Sequence, residues 1–184
     1  MEPKHLSSRE LNELAHIRQS PADEGTLLLI SRRPQIGERE LLREGKLDVD
    51  EGLAGDNWRT RGELATPPRD ANPDAQVTVM NARVADLVAG SRERWPLAGD
   101  QLFIDLDLSL DNLPAGTRLA IGSAVLEVTP VPHTGCKKFV ERFGLDAMLL
   151  VNSDEGRKMC LRGINTRVVE SGAIRVGDRV TKQG

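Results

Sequence analysis

The stretch from Gln101 to Val131, QLFIDLDLSLDNLPAGTRLAIGSAVLEVTPV, restricts the fold more than any other part of the chain. Leu102, Ile104, Leu106, Leu108 and Leu110 alternate with Asp105, Asp107 and Ser109, a period of two that sets apolar and polar side chains on opposite faces of a strand. A helix would scatter those leucines around its surface. TRLAI and AVLEV then flank Gly122-Ser123, a two-residue spacing with glycine that closes a β-hairpin. Strands with one apolar face must be covered by other elements, and further strand-like runs supply candidates. The run Leu27 to Ile30, bounded by Gly25 and Pro34, reads as a buried strand. KLDVD and QVTVM alternate, and GINTRVVESGAIRVGDRVTK holds two β-rich runs split at Ser171-Gly172. RKMCLRG places Cys160 between Met159 and Leu161 in a further strand-like alternation.

Helical signals are short. Ser7 stands three residues before Glu10 in a capping-box spacing, Leu11, Leu14, Ala15 and Ile17 share one face, and Pro21 stops the run. ERELL has helical character, while GLAGDNW reads as a glycine-rich turn. NARVADLVAG has Asn81 at an N-cap position, apolar residues at 84, 87 and 88, and Gly90 at its end. KKFVERFGLDAMLLVNS carries helical spacing broken at Gly144. The proline-rich segment RTRGELATPPRDANPDA predicts a long exposed or mobile loop. Together these signals predict a mainly β or α+β fold, a closed or partly open β-barrel with a few short helices. Residues 1–24 form an N-terminal helical extension in this reading, and residues 25–184 a single barrel domain.

Bulk properties narrow the function. A length of 184 residues is that of about one domain. A net charge of -3 offers no general attraction to nucleic acid or to an anionic membrane surface, so any basic site must be local. Aromatic residues make up 3% and tyrosine is absent, which leaves few stacking platforms for single-stranded nucleic acid. The N-terminus lacks the apolar segment of a secretory signal and no apolar run approaches the ~18 residues of a membrane span, so a cytoplasmic location is expected. In a reducing compartment Cys136 and Cys160 are thiols rather than a disulfide.

PVPHTGCKKF holds the densest group of reactive side chains. His133, Lys137 and Lys138 surround Cys136, Gly135 removes bulk beside it, and the segment leaves a strand to open a helix. Positive charge and a helix N-terminus favour the thiolate, the form that acts as nucleophile, sulfur carrier or soft-metal ligand. An incidental buried cysteine explains the same residues equally well. Cys160 reads as a small buried hydrophobe, and a zinc pair with Cys136 lacks further ligands at suitable spacing. Asp105 and Asp107 are explained by strand alternation without a site, and His5 and His16 as surface residues. Arg162, Arg167 and Arg175 suit a phosphate or a planar pterin-like ligand, and suit exposed strand faces as well. Walker A, GxGxxG, HExxH and GxSxG patterns are absent.

Taken in order, GLAGDNW, GDQLFIDLDLSL, GTRLAIGSAVLEVTPVPHTGCKKF and RGINTRVVESGAIRVGDRV resemble the MOSC domain family, named for the C-terminal domain of molybdenum cofactor sulfurases. The resemblance implies a MOSC-type β-barrel with Cys136 as its principal functional residue. That cysteine would carry sulfur as a persulfide or bind molybdenum cofactor, molybdopterin with its metal, through the thiolate. Some members reduce N-hydroxylated compounds. By the same resemblance His133, Thr134 and Lys138 line the cofactor or substrate cleft, and Asn152, Arg162 and Asn165 join from the segments that close it. Small enzymes of the family carry a histidine-containing stretch after the GLxGD turn, whereas no histidine occurs here between Asp56 and Val84. The chain has no room for the pyridoxal-phosphate desulfurase domain of the large sulfurases, so a separate cysteine desulfurase is the expected sulfur donor. The other expected partners are a small-molecule substrate and a second copy in a homodimer, with no nucleic acid and no membrane. The alternative is a non-catalytic barrel that binds a small anionic ligand or a partner protein.

Overall fold

The computed structural model describes residues 8–183, with side chains from Asn12 onward; His5 and Ser7, and the Glu10 side chain of the capping pair, lie outside what it describes. Helix α1 (Ser8–Arg18) leads to strands β1 (Gly25–Arg32), β2 (Glu40–Leu42), β3 (Glu44–Asp48) and β4 (Gly52–Leu53). After a long connection come β5 (Val77–Asn81), α2 (Ala82–Ala89), a 3-10 helix (Arg92–Ala98) and β6 (Leu102–Asp105). The hairpin β7 (Arg118–Ile121) and β8 (Ala124–Val128) precedes three short helices, α3 (Lys137–Phe143), α4 (Leu145–Val151) and α5 (Asp154–Lys158). Strands β9 (Ile164–Glu170), β10 (Gly172–Arg175) and β11 (Arg179–Gln183) complete the order.

Seven strands close into a ring in the order β1, β11, β7, β8, β9, β5, β6, and β6 returns to β1. β2 extends the sheet beyond the ring, while β10, β3 and β4 form a separate three-stranded sheet. Every neighbouring pair in the ring is antiparallel except β5 and β6. That exception is a geometric requirement: a closed ring with an odd number of strands cannot reverse direction at every step. The β5–β6 crossover carries α2 and the 3-10 helix, the kind of connection a parallel pair needs.

Two apolar clusters account for the alternation. Leu27, Ile30, Val79, Leu102, Ile104 and Leu126 belong to the larger one, contributed by the barrel strands. Leu29, Met80 and Phe103, their neighbours of opposite facing, pack with Leu14, Trp95 and Phe139 of the helices. The register shift between Leu27 and Leu29 sends both Leu27 and Ile30 inward, so the unbroken apolar run of β1 serves two cores. Asn81 caps α2 by accepting from Arg83 N at 2.8 Å and Val84 N at 3.3 Å, and Gly90 ends it in the left-handed region. The hairpin turns at Gly122-Ser123, with Ile121 opposite Ala124.

Three local expectations change. ERELL is not helical: Glu40, Leu41 and Leu42 pair with Arg32, Ser31 and Ile30, because ladder bonds to β1 outweigh the weak propensity of so short a segment. The alternating stretch after Leu102 is a strand only to Asp105; Leu106 and Leu108 stay buried in irregular backbone, and Leu110 is 56% exposed. Cys160 lies in a turn after α5 with φ of 50°, not in a strand. Asp105 forks onto Arg83 at 2.8 and 3.2 Å, and Asp107 accepts from Ser109 N at 2.9 Å, so both acids have structural partners. Among the described residues no helix is long and apolar enough to cross a membrane.

Candidate functional site: an arginine-lined cleft beside Cys136

The turn that ends the 3-10 helix organises the site. Four consecutive carbonyl oxygens each accept from a different arginine: Pro96 from Arg39 Nε at 3.0 Å, Leu97 from Arg142 NH1 at 2.7 Å, Ala98 from Arg162 NH2 at 2.8 Å and Gly99 from Arg33 NH1 at 3.1 Å. The last carbonyls of a helix have no partners within it, and cations are favoured there. These arginines come from the segment after β1, the approach to β2, α3 and the turn before β9. Barrel closure brings them to one place.

Carbonyls orient the guanidinium groups without neutralising them. Two buried carboxylates do neutralise. Asp56 accepts from Arg33 at 2.9 Å (Nε) and 2.8 Å (NH2), and Asp100 accepts from Arg162 NH1 at 2.6 Å. Both carboxylates are fully enclosed. Between the arginines opens a cleft of about 530 Å³ whose wall also includes Arg61, Arg69 and Lys138. With seven cations on the wall and two carboxylates behind them, the cleft keeps an excess of five positive charges. Among the described residues no carboxylate lies within 4.0 Å of Arg39, Arg61, Arg69, Lys138 or Arg142. Burial, then Arg142 and Arg33, hold the Arg39 pKa below the usual guanidinium range. Desolvation and Arg33 do the same to Arg61. Such crowding is unfavourable in the empty protein and becomes favourable when an anion enters.

Cys136 is exposed on the wall of this cleft, at the N-cap position of α3. The preceding residue is fastened by Asn152, whose Oδ1 accepts from Gly135 N at 3.0 Å and whose Nδ2 donates to Gly135 O at 3.4 Å. His133 Nδ1 stands 3.4 Å from Asp100 Oδ1, and the imidazole retains only 16% of its exposure. Burial, with Arg162 beside it, lowers its pKa to about 4, so the ring is neutral at physiological pH. Gly163, at φ of 105°, makes this arrangement possible, since a Cβ there would fall 2.4 Å from Val79 O and 3.3 Å from His133 Nδ1. Arg162 packs over the Phe139 ring at 5.0 Å and, among the described residues, leaves its Nε buried without a partner; Asn57 Oδ1 is likewise unpartnered among them.

Cys136, Lys138, His133, Arg162 and Asn165 therefore line one cleft, while Thr134 and Asn152 do not. Thr134 borders a neighbouring, more apolar cavity of about 390 Å³, which shares His133, Arg162 and Asn165 as a common wall. Asn152 acts on Gly135, one step from the cleft. Cys160 lines the second cavity; burial, with Asp107 nearby, raises its pKa to about 11, so its thiol stays protonated. Arg167 bonds Glu127 and Arg175 bonds Glu44, away from the cleft. Sequence reasoning missed Arg33, Arg39, Arg61, Arg69 and Arg142. An isolated arginine carries no local signal of the cleft it will join.

The MOSC domain matches residues 66–181, more than half of the chain, and the chain belongs to the MOSC domain family. Solved structures share the fold at low sequence identity. The YUAD protein from Bacillus subtilis is 17% identical, with a TM-score of 0.56 over 87% of this chain and 94% of its own. YiiM from Escherichia coli is 18% identical, with a TM-score of 0.56 over 86% of this chain and 70% of its own. YiiM from Geobacillus stearothermophilus, 13% identical, reaches 0.56 over 87% and 75%. No curated protein sequence matches the chain.

Proposed function

We propose that the protein binds molybdenum cofactor in the arginine-lined cleft, with the Cys136 thiolate as the protein's ligand to the metal. The observation that carries this reading is the excess of five positive charges on a cleft that also exposes a thiol. A persulfide on Cys136 would bring about one negative charge, far less than the wall is built to hold. A phosphate-bearing, metal-binding dithiolene offers several. The residues present fit such a group: Cys136 offers sulfur to a soft metal, Arg39 and Arg142 offer forks for a phosphate, and Arg162 Nε offers a buried donor to a pterin edge.

When bound, the cofactor supplies two-electron chemistry of the kind that removes oxygen from an N-hydroxylated compound. The chain's own residues hold and orient. Asn152 fixes the peptide that precedes Cys136, and neutral His133 can accept or donate a hydrogen bond at the wall shared with the apolar cavity. That cavity, about 390 Å³ and bordered by Leu113, Val131 and Ile164, suits the apolar body of a small substrate. Sulfur carriage from a cysteine desulfurase is the second reading, favoured by the exposure of Cys136 to a partner protein.

Elemental analysis of protein from a cofactor-competent host tests the first reading. Molybdenum should approach the protein's own concentration in the wild type and be lost in Cys136→Ser. An intact-mass shift of about 32 Da on Cys136, with no molybdenum, selects sulfur carriage instead. Neither signal, with ligand binding unchanged in Cys136→Ser, selects the non-catalytic anion-binding module.

A further inference from the structure

The arginines of the cleft fall into two kinds. Arg33, Arg39, Arg142 and Arg162 are each fixed on a carbonyl of residues 96–99. The side chains of Arg61 and Arg69 have no hydrogen-bond or ion-pair partner among the described residues, yet their backbone is firmly placed. Arg61 N donates to Asn57 O at 2.8 Å, and Trp58, only 6% exposed, anchors that turn through its indole Nε1, which donates to Asn72 O at 3.2 Å. Arg69 N donates to Gly62 O at 3.1 Å. A Cβ on Gly62 would fall 2.2 Å from Arg69 O, so only glycine lets the two backbones meet. The exposed proline segment is thus a loop closed at its neck, and Arg61 and Arg69 stand side by side at that neck.

This pair is separate from the Arg39–Arg142 pair. Arg39 NH2 and Arg142 NH1 converge on Gly99, 3.8 and 3.9 Å from the position of a Cβ there. Each pair adjoins Arg33, whose own charge is met by Asp56. Two guanidinium forks suffice to hold one phosphate. The other pair remains for a second anion, and Asn57 Oδ1, buried and unpartnered on the same wall, awaits an O–H or N–H donor.

We infer that Arg61 and Arg69 form a second anion subsite in the cleft, which takes a phosphate or carboxylate beside a hydroxyl or N–H donor. The inference rests on the cofactor reading only for what fills the first pair. The second anion belongs either to a nucleotide extension of the cofactor or to the substrate.

Calorimetric titration of the purified apo protein with inorganic phosphate and pyrophosphate tests it. The wild type should bind two phosphates, with affinity that falls as salt rises. Arg61→Gln/Arg69→Gln should bind one, and should bind pyrophosphate about tenfold or more weakly. Because these side chains have no internal partner, that variant should unfold at a temperature at least as high as the wild type. Unchanged phosphate stoichiometry and affinity in the double variant overturns the inference. Mass spectrometry of cofactor released from holo protein separates the sources: a nucleotide-extended form retained by wild type and lost by the variant assigns the subsite to the cofactor. An unextended form retained by both, with the two-to-one change in phosphate binding intact, assigns it to the substrate. Two phosphates bound to a protein that never acquires molybdenum leaves the subsite standing and rejects the cofactor reading.

Discussion

Asn152 holds Gly135 at both of its peptide groups, through bonds of 3.0 and 3.4 Å that set the backbone one residue before Cys136. Its replacement by alanine removes both of these half-buried bonds, together with a third from Nδ2 to Met148 Sδ at 3.3 Å, and should cost about 1–2 kcal/mol, read from urea midpoints at constant slope. Amide exchange at Gly135 should accelerate in the same variant; unaltered exchange would show that the clamp does not order the segment. His133 sets a pH dependence. Its folded pKa of about 4 lies below the ordinary value of 6.5, so the unfolded chain binds more protons between those values. Stability from this group is complete above pH 6.5 and falls as the pH approaches 4, by up to about 3 kcal/mol. His133→Gln should flatten that part of the stability profile, and the wild-type His133 imidazole signals should not titrate between about pH 5.5 and 8.

At the scale of elements, the GLAGD turn, which begins with β4 and ends at Asp56, does more than reverse the chain. Asp56 accepts from Arg33 N at 2.8 Å, from the Arg33 guanidinium and from Trp58 N at 2.9 Å, tying the end of β1 to the start of the proline loop. Removing the charge in Asp56→Asn leaves Arg33 buried without its counterion, and a loss of about 3–5 kcal/mol is expected from denaturant unfolding. Asp100 plays the corresponding part for Arg162. Local elements were legible where their signals were local: the Asn81 and Gly90 caps of α2, the Gly122-Ser123 hairpin and the Gly144 break between α3 and α4 each depend on residues a few positions apart. β2 and the turn at Cys160 were not legible. β2 exists because β1 offers it an edge, and the turn at Cys160 packs its side chain against the barrel cluster, whose residues are distant in sequence.

For the whole molecule, closure is the controlling fact. β11 is the strand that joins β1 to β7, so deleting residues 179–184 opens the ring and exposes Leu27, Leu119 and Ile121. Such a chain should lose cooperative unfolding and near-UV circular dichroism; a sharp transition of wild-type slope would mean that the ring does not need its last strand. The apolar alternation, the turn glycines, the helix caps and the ordered MOSC motifs determined by themselves that the chain builds a β-barrel with Cys136 at a strand-to-helix junction, because these depend on near neighbours in sequence. Only the tertiary structure decided that Arg33, Arg39, Arg61, Arg69 and Arg142 share a wall with that cysteine and with Arg162. Those arginines lie far apart along the chain, and their common cleft arises from ring closure and from the run of outward carbonyls of residues 96–99 that ends the 3-10 helix.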